Sequence, residues 1–366
     1  KEYIHLIDNL FNATSAISTT GLATISISDN YTFFGQIIIL LLIQIGGIGY
    51  MSFSSFVILK MTNELSSSKT NVLSTEFSIP SNFNIIELVK SIITFTLVFE
   101  FIGSIILFFV FINEGISEPV WNAIFHSISA FCTAGFSLFN DSFEQLKLNS
   151  VLNITVSVLS YLGGIGFIVL LDFWKRIKSK EHTITFTSKI ILFVTLFFTV
   201  FGTIQLALFE PSIQQYNDYE KLTLAFFQTM TSLTTVGFNT ITITNLHPSS
   251  LMLIVILMYV GASPSGTGGG LKSTTLSAIF AFLFSKLTLK QDVTLLGKKI
   301  PDYRVNSALS IFIFYTSILF IGSYILTFTE NANLLQILFE CGSALGTVGL
   351  STGITGTLTN FGKIII

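Results

Sequence analysis

Charge is what this sequence has least of. Of 366 residues, 18 are Lys or Arg and 20 are Asp or Glu, a tenth of the chain, against roughly a quarter in soluble domains. That excludes an ordinary soluble globule and points to a bilayer. Cysteine is nearly absent: Cys132 and Cys341 cannot make a disulfide framework and read as two small buried thiols. The two Cys and four His show no metal-ligand spacing. No Ser-His-Asp, Cys-His or paired-carboxylate constellation is present, so no enzyme and no cofactor are expected. A net charge of −2 says nothing about partners until the charges are placed by segment; no nucleic-acid partner is expected. A signal peptide is lacking, and the chain opens at Lys1-Glu2-Tyr3 without Met, so a processed or trimmed sequence is expected.

Apolar residues make up the difference, at 51% of the chain with 38 Phe. Runs long enough to cross a bilayer, roughly 20 residues, occur at Phe33–Leu59, Ser91–Ile112, Val151–Leu171, Ile190–Phe209 and Ala308–Thr329. A sixth, Leu251–Ser285, is interrupted by the glycine-rich stretch Gly261–Lys272. The runs are continuously apolar, as lipid-surrounded helices require, rather than alternating as spanning strands would be. A multi-pass α-helical protein embedded in membrane lipid is therefore expected. The segments after the first, third and broken sixth runs hold thirteen basic residues (Lys60, Lys69, Lys90, Lys175, Arg176, Lys178, Lys180, Lys189, Lys286, Lys290, Lys298, Lys299 and Arg304), against Lys1, Lys147 and Lys221 on the other face. The first group is thus expected to be cytoplasmic. Acids such as Asp29, Asp141, Glu144 and Glu210 collect on the outer face, where they would enrich cations.

An internal repeat is the most informative feature. Phe11, Phe125, Phe227 and Phe339 each precede by ten residues the glycine of a Thr-x-Gly followed by Leu or Phe. The four strands are Thr19-Thr20-Gly21-Leu22, Thr133-Ala134-Gly135-Phe136, Thr235-Val236-Gly237-Phe238 and Thr347-Val348-Gly349-Leu350. One such motif would be a helix C-cap; four, with glycines 114, 102 and 112 positions apart, are a repeat. Each unit reads as outer helix, short re-entrant pore helix, filter strand and inner helix. The divisions fall at residues 1–60, 61–180, 181–290 with the broken inner helix, and 291–366. Capping chemistry at Ser117-Glu118-Pro119, at Asp218-Tyr219-Glu220 and at Asn331 or Asn333 would start the re-entrant helices on the outer side. Their carboxyl ends then point inward with partial negative charge. An ion stripped of water needs substitute dipoles. Non-helical backbone lining a cavity can supply its carbonyls, with glycine relaxing the dihedral limits. The third and fourth strands are close to the Thr-Val-Gly-Tyr-Gly strand of potassium channels, and the first two are looser.

On these residues the sequence resembles the Trk/Ktr/HKT superfamily of potassium transporters, and most of all its KtrB-type membrane subunit. The resemblance extends to Gln44-Ile45-Gly46-Gly47-Ile48-Gly49 and its echo Gly163-Gly164-Ile165-Gly166. It also takes in the break at Gly261–Lys272 and the run Gly297-Lys298-Lys299-Ile300-Pro301. It implies an all-α membrane protein with four pseudo-repeated outer helix–re-entrant pore helix–inner helix units around one central pore. The first outer and last inner helices would be missing from this chain. It implies potassium binding at Thr19, Thr20, Gly21, Thr133, Ala134, Gly135, Thr235, Val236, Gly237, Thr347, Val348 and Gly349, with potassium at the filter as the only metal. Glycine at Gly21 favours potassium over sodium, and a sodium-conducting or sodium-coupled transporter is the alternative. The resemblance further implies a gating loop with Gly261, Ser263, Gly266, Gly268, Gly269, Gly270 and Lys272. A homodimer in the bacterial cytoplasmic membrane, a cytosolic nucleotide-binding ring of regulator-of-potassium-conductance (KtrA/TrkA-type) subunits, and sodium as an activator complete the expectation.

Several residues admit plainer readings. The Gly-Gly-Ile-Gly runs alone would be close helix packing. Gly261–Lys272 followed by Ser273 looks like a phosphate loop, but Leu271 stands where glycine must precede the lysine. Glu100 reads as a helix–helix hydrogen-bonding group ahead of a cation-facing acid, and Lys272 as a tether to acids or a brake on conduction. Asn12, His126, Gln228 and Glu340, each following a repeat Phe, read as polar supports of the filter. Of the inner helices present, only the third is expected to break. A polytopic membrane enzyme would need polar clusters at helix ends, whereas here polar residues recur at the Thr-x-Gly strands.

Overall fold

A computed structural model describes residues 5–49, 52–53, 55–57 and 85–366. Lys1, Lys60, Lys69, the far end of the first apolar run and the division between residues 60 and 61 lie outside the described residues. Among the described residues the elements are helices apart from one two-stranded hairpin, as the continuous apolar runs require.

Among the described residues three helices are long and apolar enough to cross a membrane on their own: α4 (Ile85–Asn113), α8 (Phe186–Phe209) and α12 (Asp302–Thr329). At 1.5 Å per residue, the 29 residues of α4 exceed the roughly 30 Å hydrocarbon core. They turn large apolar side chains outward, among them Phe101, Phe109, Phe193, Phe197, Phe314 and Phe328. Exposed apolar rings on this scale suit lipid, not water.

Four short helices lie inside this shell: α1 (Leu6–Ile17), α5 (Pro119–Phe131), α9 (Asp218–Leu233) and α13 (Leu334–Leu345). Two of their starts, those of α9 and α13, carry side-chain caps, and each refines the sequence reading. The cap of α9 is Asn217, not Asp218: its side chain accepts from Glu220 N at 2.9 Å. Asn333, not Asn331, caps α13 in a reciprocal box with Gln336. At α5, Pro119 occupies the first turn and Glu118 gives no side-chain cap.

The remaining helices interlock the short ones. After the single turn α2 (Ile27–Asn30), α3 (Phe33–Ile48) packs on α1 and also on α5. Likewise α6 (Ser150–Ile165) packs on α5 and on α9, and α10 (Pro248–Val260) on α9 and on α13. The last helix, α14 (Asn360–Ile365), reaches α1, and there Lys363 Nζ pairs with Asp8 Oδ1 at 2.7 Å. The order is cyclic: the short helices stand around one axis.

One expectation is corrected here. The run Val151–Leu171 is not a straight span, and the third inner helix is not the only one that breaks. Helix α6 ends at Ile165, Gly166 takes φ +96°, and α7 (Phe167–Lys178) leaves at 97°. A residue with a Cβ avoids that backbone, and a methyl on Gly166 would stand 2.4 Å from Pro264 O. The first inner helix likewise stops at Ile48, before Gly49 at φ +81°. Gly49 and Gly166 end helices, while Gly46, Gly47 and Gly163 of the same runs pack closely on Ile17, Cys132 and Phe131.

Polar hubs fix both sides. Asp172 on α7 accepts from His182 Nε2 (2.7 Å), Thr185 N (2.8 Å), Thr185 Oγ1 (2.7 Å) and Ser188 Oγ (2.6 Å), tying α7 to the start of α8. At the opposite end of α8, buried Glu210 accepts from Ser212 N (3.0 Å) and His247 N (3.1 Å), holding the start of α10. Helix α11 (Ser273–Leu287) leads into the hairpin of β1 (Thr294–Leu295) and β2 (Lys298–Lys299), turned by Leu296 and Gly297 at positive φ.

Candidate functional site: four strands on one axis

The four Thr-x-Gly segments share one backbone. Each follows a short helix, and in each the central residue donates its N–H to a carbonyl five residues back. These are Thr20 to Ser15 (2.8 Å), Ala134 to Ser129 (2.8 Å), Val236 to Thr231 (3.1 Å) and Val348 to Ser343 (2.8 Å). This is the Schellman-type way of ending a helix, which places one residue in the left-handed region. Here that residue is the threonine: Thr19, Thr133, Thr235 and Thr347 have φ of +53°, +50°, +58° and +50°. A β-branched residue there costs about 1–3 kcal/mol, and glycine would fit without that cost. Keeping threonine at all four places implies a use for the hydroxyl.

The glycines bring the strands together. A methyl on Gly21 would stand 2.3 Å from Ala134 O, on Gly135 2.2 Å from Val236 O, on Gly237 2.0 Å from Val348 O, and on Gly349 2.4 Å from Thr20 O. First meets second, second third, third fourth, and fourth first: a closed ring. All four glycines have φ between +66° and +89°. The twelve filter residues named from the sequence thus stand together, and the residues flanking them are largely buried.

On its glycine side the ring opens into a vestibule of 430 Å³, lined by its four glycines together with Asp141, Glu144 and the segments that follow the strands. Glu144 accepts from Asn239 Nδ2 (2.7 Å) and Thr242 Oγ1 (2.5 Å), and Asp29 from Asn140 Nδ2 (2.8 Å). The threonine side is covered. Thr267 Oγ1 lies 2.9 Å from Thr133 Oγ1, Gly269 N donates to Thr235 Oγ1 at 3.0 Å, and Thr19 Oγ1 reaches Thr267 O at 3.4 Å. A methyl on Gly269 would stand 2.2 Å from Thr347 Oγ1. The loop between α10 and α11 therefore meets all four threonines. A cavity of 310 Å³ lies beside it, bounded by Ser18, Thr19, Gly46, Thr267, Gly269 and Thr347.

The loop hangs on the α6–α7 bend. Breaking a helix frees carbonyls that would otherwise be paired, and the freed oxygens of Gly164 and Gly163 accept from Ser263 N (3.0 Å) and Thr267 N (3.1 Å). In return Phe167 N donates to Ser265 O at 3.1 Å and Ile168 N to Ser265 Oγ at 3.2 Å. Across the loop, Ala262 N donates to Gly269 O at 2.9 Å and Lys272 Nζ to Gly268 O at 2.5 Å. Of the loop residues named from the sequence, Gly268 and Gly269 stand under the ring, while Gly261 and Gly270 pack on each other at its neck. Ser263 and Gly266 face the bend. Lys272 pairs with a loop carbonyl and not with an acid.

Sequence reasoning missed Thr267, Ser265 and the bend at Gly166. Four hydroxyls on one axis and freed carbonyls are spatial facts without a local motif. Glu100, by contrast, does what was expected: it accepts from Gln44 Nε2 at 3.1 Å and Cys132 Sγ at 3.5 Å, joining α3, α4 and α5.

Residues 2–366 match the family model TrkH, described as a cation transport protein. The chain is 34% identical over 370 residues to the Ktr system potassium uptake protein B of Vibrio alginolyticus, covering 99% of this chain and 81% of that protein. To its Bacillus subtilis counterpart it is 33% identical, over 98% and 81%. The potassium/sodium uptake protein NtpJ of Enterococcus hirae is 34% identical, over 100% and 82%. In fold it is similar to the crystal structure of the potassium transporter TrkH from Vibrio parahaemolyticus, with a TM-score of 0.76, 18% identity, and 99% and 74% of the two chains covered. Strands on one axis in an apolar shell have a counterpart in sequence over nearly the whole length: this chain is an integral membrane protein of the TrkH cation transporter family, not an enzyme.

Proposed function

We propose that the chain takes up potassium across the bacterial cytoplasmic membrane through the ring of Thr19–Gly21, Thr133–Gly135, Thr235–Gly237 and Thr347–Gly349. The observation that carries this reading is the closure of that ring, each glycine against the next strand's carbonyl. Such a ring offers backbone oxygens in place of water, and the carboxyl ends of α1, α5, α9 and α13 add partial negative charge. Glycine is needed because a Cβ would push the neighbouring carbonyls off the axis.

The loop Gly261–Lys272 is read as the gate, since it covers the inner side of the ring through hydrogen bonds to filter threonines. Each bond is worth only about 1 kcal/mol net, so a partner with unequal contacts to open and closed forms can shift the balance. That the relatives are named as parts of a Ktr system supports a partner, which we read as a cytosolic nucleotide-binding ring docked on the basic loops of a homodimer. The four repeat divisions drawn from the sequence belong to this same reading.

A sodium-conducting or sodium-coupled activity is the second reading, favoured by the potassium/sodium uptake protein of Enterococcus hirae among the relatives. Flux of potassium, rubidium and sodium into liposomes containing the full-length protein decides between them. Potassium flux with little competition by sodium supports the first reading. Equal sodium flux supports the second, and no cation flux of either kind removes both.

A further inference from the structure

The residue after each repeat Phe occupies one position in four settings. Asn12, His126, Gln228 and Glu340 are all 0% exposed. Behind three of them the chain returns twelve residues later and donates a backbone N–H to the side chain. Thr24 N bonds Asn12 Oδ1 at 3.1 Å, Leu138 N bonds His126 Nε2 at 3.3 Å, and Thr352 N bonds Glu340 Oε1 at 2.7 Å. Each side chain thus clamps the segment that leaves its filter strand. The corresponding pair in the third unit, Gln228 and Thr240, is unbonded: the amide and the hydroxyl are buried without a partner among the described residues.

Glu340 differs from the other three in carrying a carboxylate. It also accepts from Ser351 Oγ (2.7 Å), Thr352 Oγ1 (3.1 Å) and Thr355 Oγ1 (2.7 Å). Every donor is a neutral hydroxyl or amide, a setting suited to an acceptor-only group. Among the described residues no Lys, Arg or His pairs with it. A buried carboxylate without a fixed counter-charge is costly. Ser351 and Thr355, which hold it, line the outer vestibule beside the four filter glycines. The group therefore sits one hydrogen bond behind the wall past which a cation travels.

Resting on the filter reading above, we propose that Glu340 determines cation affinity: its charge, braced behind the fourth strand, is the counter-charge of the ion at the outer end of the filter. The field across the ring is then uneven, strongest toward the fourth strand, because Asn12 and Gln228 are neutral amides and His126 is no anion. The brace and the charge are separable: all three clamped side chains hold their segment, and one attracts the ion.

The test uses the full-length protein in liposomes. Glu340→Gln keeps the size and an acceptor for Thr352 N but removes the charge. The half-saturating potassium concentration should rise about tenfold, the effect of one charge at roughly 10 Å and an effective dielectric of about 20. That factor should exceed any fall in maximal flux. Potassium-dependent thermal stabilisation of the solubilised protein should move to higher potassium by the same factor, and Glu340→Asp should recover part of it. A fall in maximal flux with unchanged half-saturation, or no change in either, overturns the proposal. Should Glu340→Gln fail to assemble, Asn12→Asp decides the matter. A carboxylate at the same position of the first unit should lower the half-saturating concentration several-fold, and an unchanged or higher value overturns the proposal. Failure of the potassium reading itself looks different: the unsubstituted protein would show neither potassium flux nor potassium-dependent stabilisation.

Discussion

Gly349 and Thr20 stand near opposite ends of the chain, yet a methyl on the first would lie 2.4 Å from the carbonyl oxygen of the second. That contact converts four consecutive strands into a ring. It also makes the geometry of each strand depend on its neighbour.

Gly237→Ser is expected to relax discrimination between potassium and sodium. Its Cβ would meet Val348 O at 2.0 Å and would sit at φ +86°, where a side chain costs about 1–3 kcal/mol. A loss of that size in the filter is a change of about fivefold to a hundredfold. Competition of sodium against rubidium uptake in a transport-deficient strain measures it, and an unchanged ratio would take Gly237 out of the filter.

Deleting Ser263–Gly268 should raise potassium flux and weaken its dependence on cytosolic partner subunits. The deletion removes Thr267, which meets two filter threonines, and Ser265, which meets the α6–α7 bend. Flux assays with and without the partner check this; low flux still fully dependent on the partner would move the gate elsewhere.

Repeats and apolar runs foretold this site better than any single residue did. The Thr-x-Gly strands were legible because a repeat multiplies a weak local signal, and the lipid-facing helices because continuous apolarity has one meaning. Helix starts were legible to within a residue, since several of Asn217, Asp218, Asn331 and Asn333 can cap and tertiary packing chooses among them. The bend at Gly166 was not legible. Gly-Gly-Ile-Gly suits close packing and a break equally well, and the choice depends on whether a distant loop accepts the freed carbonyls. Left-handed Thr19, Thr133, Thr235 and Thr347 run against the preference of β-branched residues, so only the coordinates reveal them. The polar supports at Asn12, His126 and Glu340 were readable by their position, but Gln228 lacks the partner that the others have.

Topology is open to labelling. Single cysteines at Lys178 and Lys299 should resist an impermeant thiol reagent in intact cells, while one at Asp141, in the outer vestibule, should react. The native Cys132 and Cys341 are buried and should stay silent. The opposite pattern would invert the orientation.

Acid should weaken the outer end of α8. Burial works to raise the Glu210 carboxyl, but hydrogen bonds from Ser250, Ser212 and His247 outweigh it and hold the group below its ordinary value. A depressed value means that the stabilisation is present at neutral pH. It disappears as pH falls from the ordinary glutamate value, about 4.3, through the lower folded one. Glu210→Gln should cost about 1–3 kcal/mol at pH 7 and flatten the fall in melting temperature below pH 4.5. A variant that melts like the parent at both pH values would leave Glu210 without this part.

Helix α7 begins at the bend and carries Lys175, Arg176 and Lys178 in its last turn. Its first two backbone N–H groups hold Ser265, and Asp172 fastens its middle to the next outer helix. One helix thus joins three things that the sequence keeps apart: the loop under the ring at its start, the Asp172 hub at its middle, and a basic last turn whose Lys175 pairs with Glu87 of α4 at 2.6 Å.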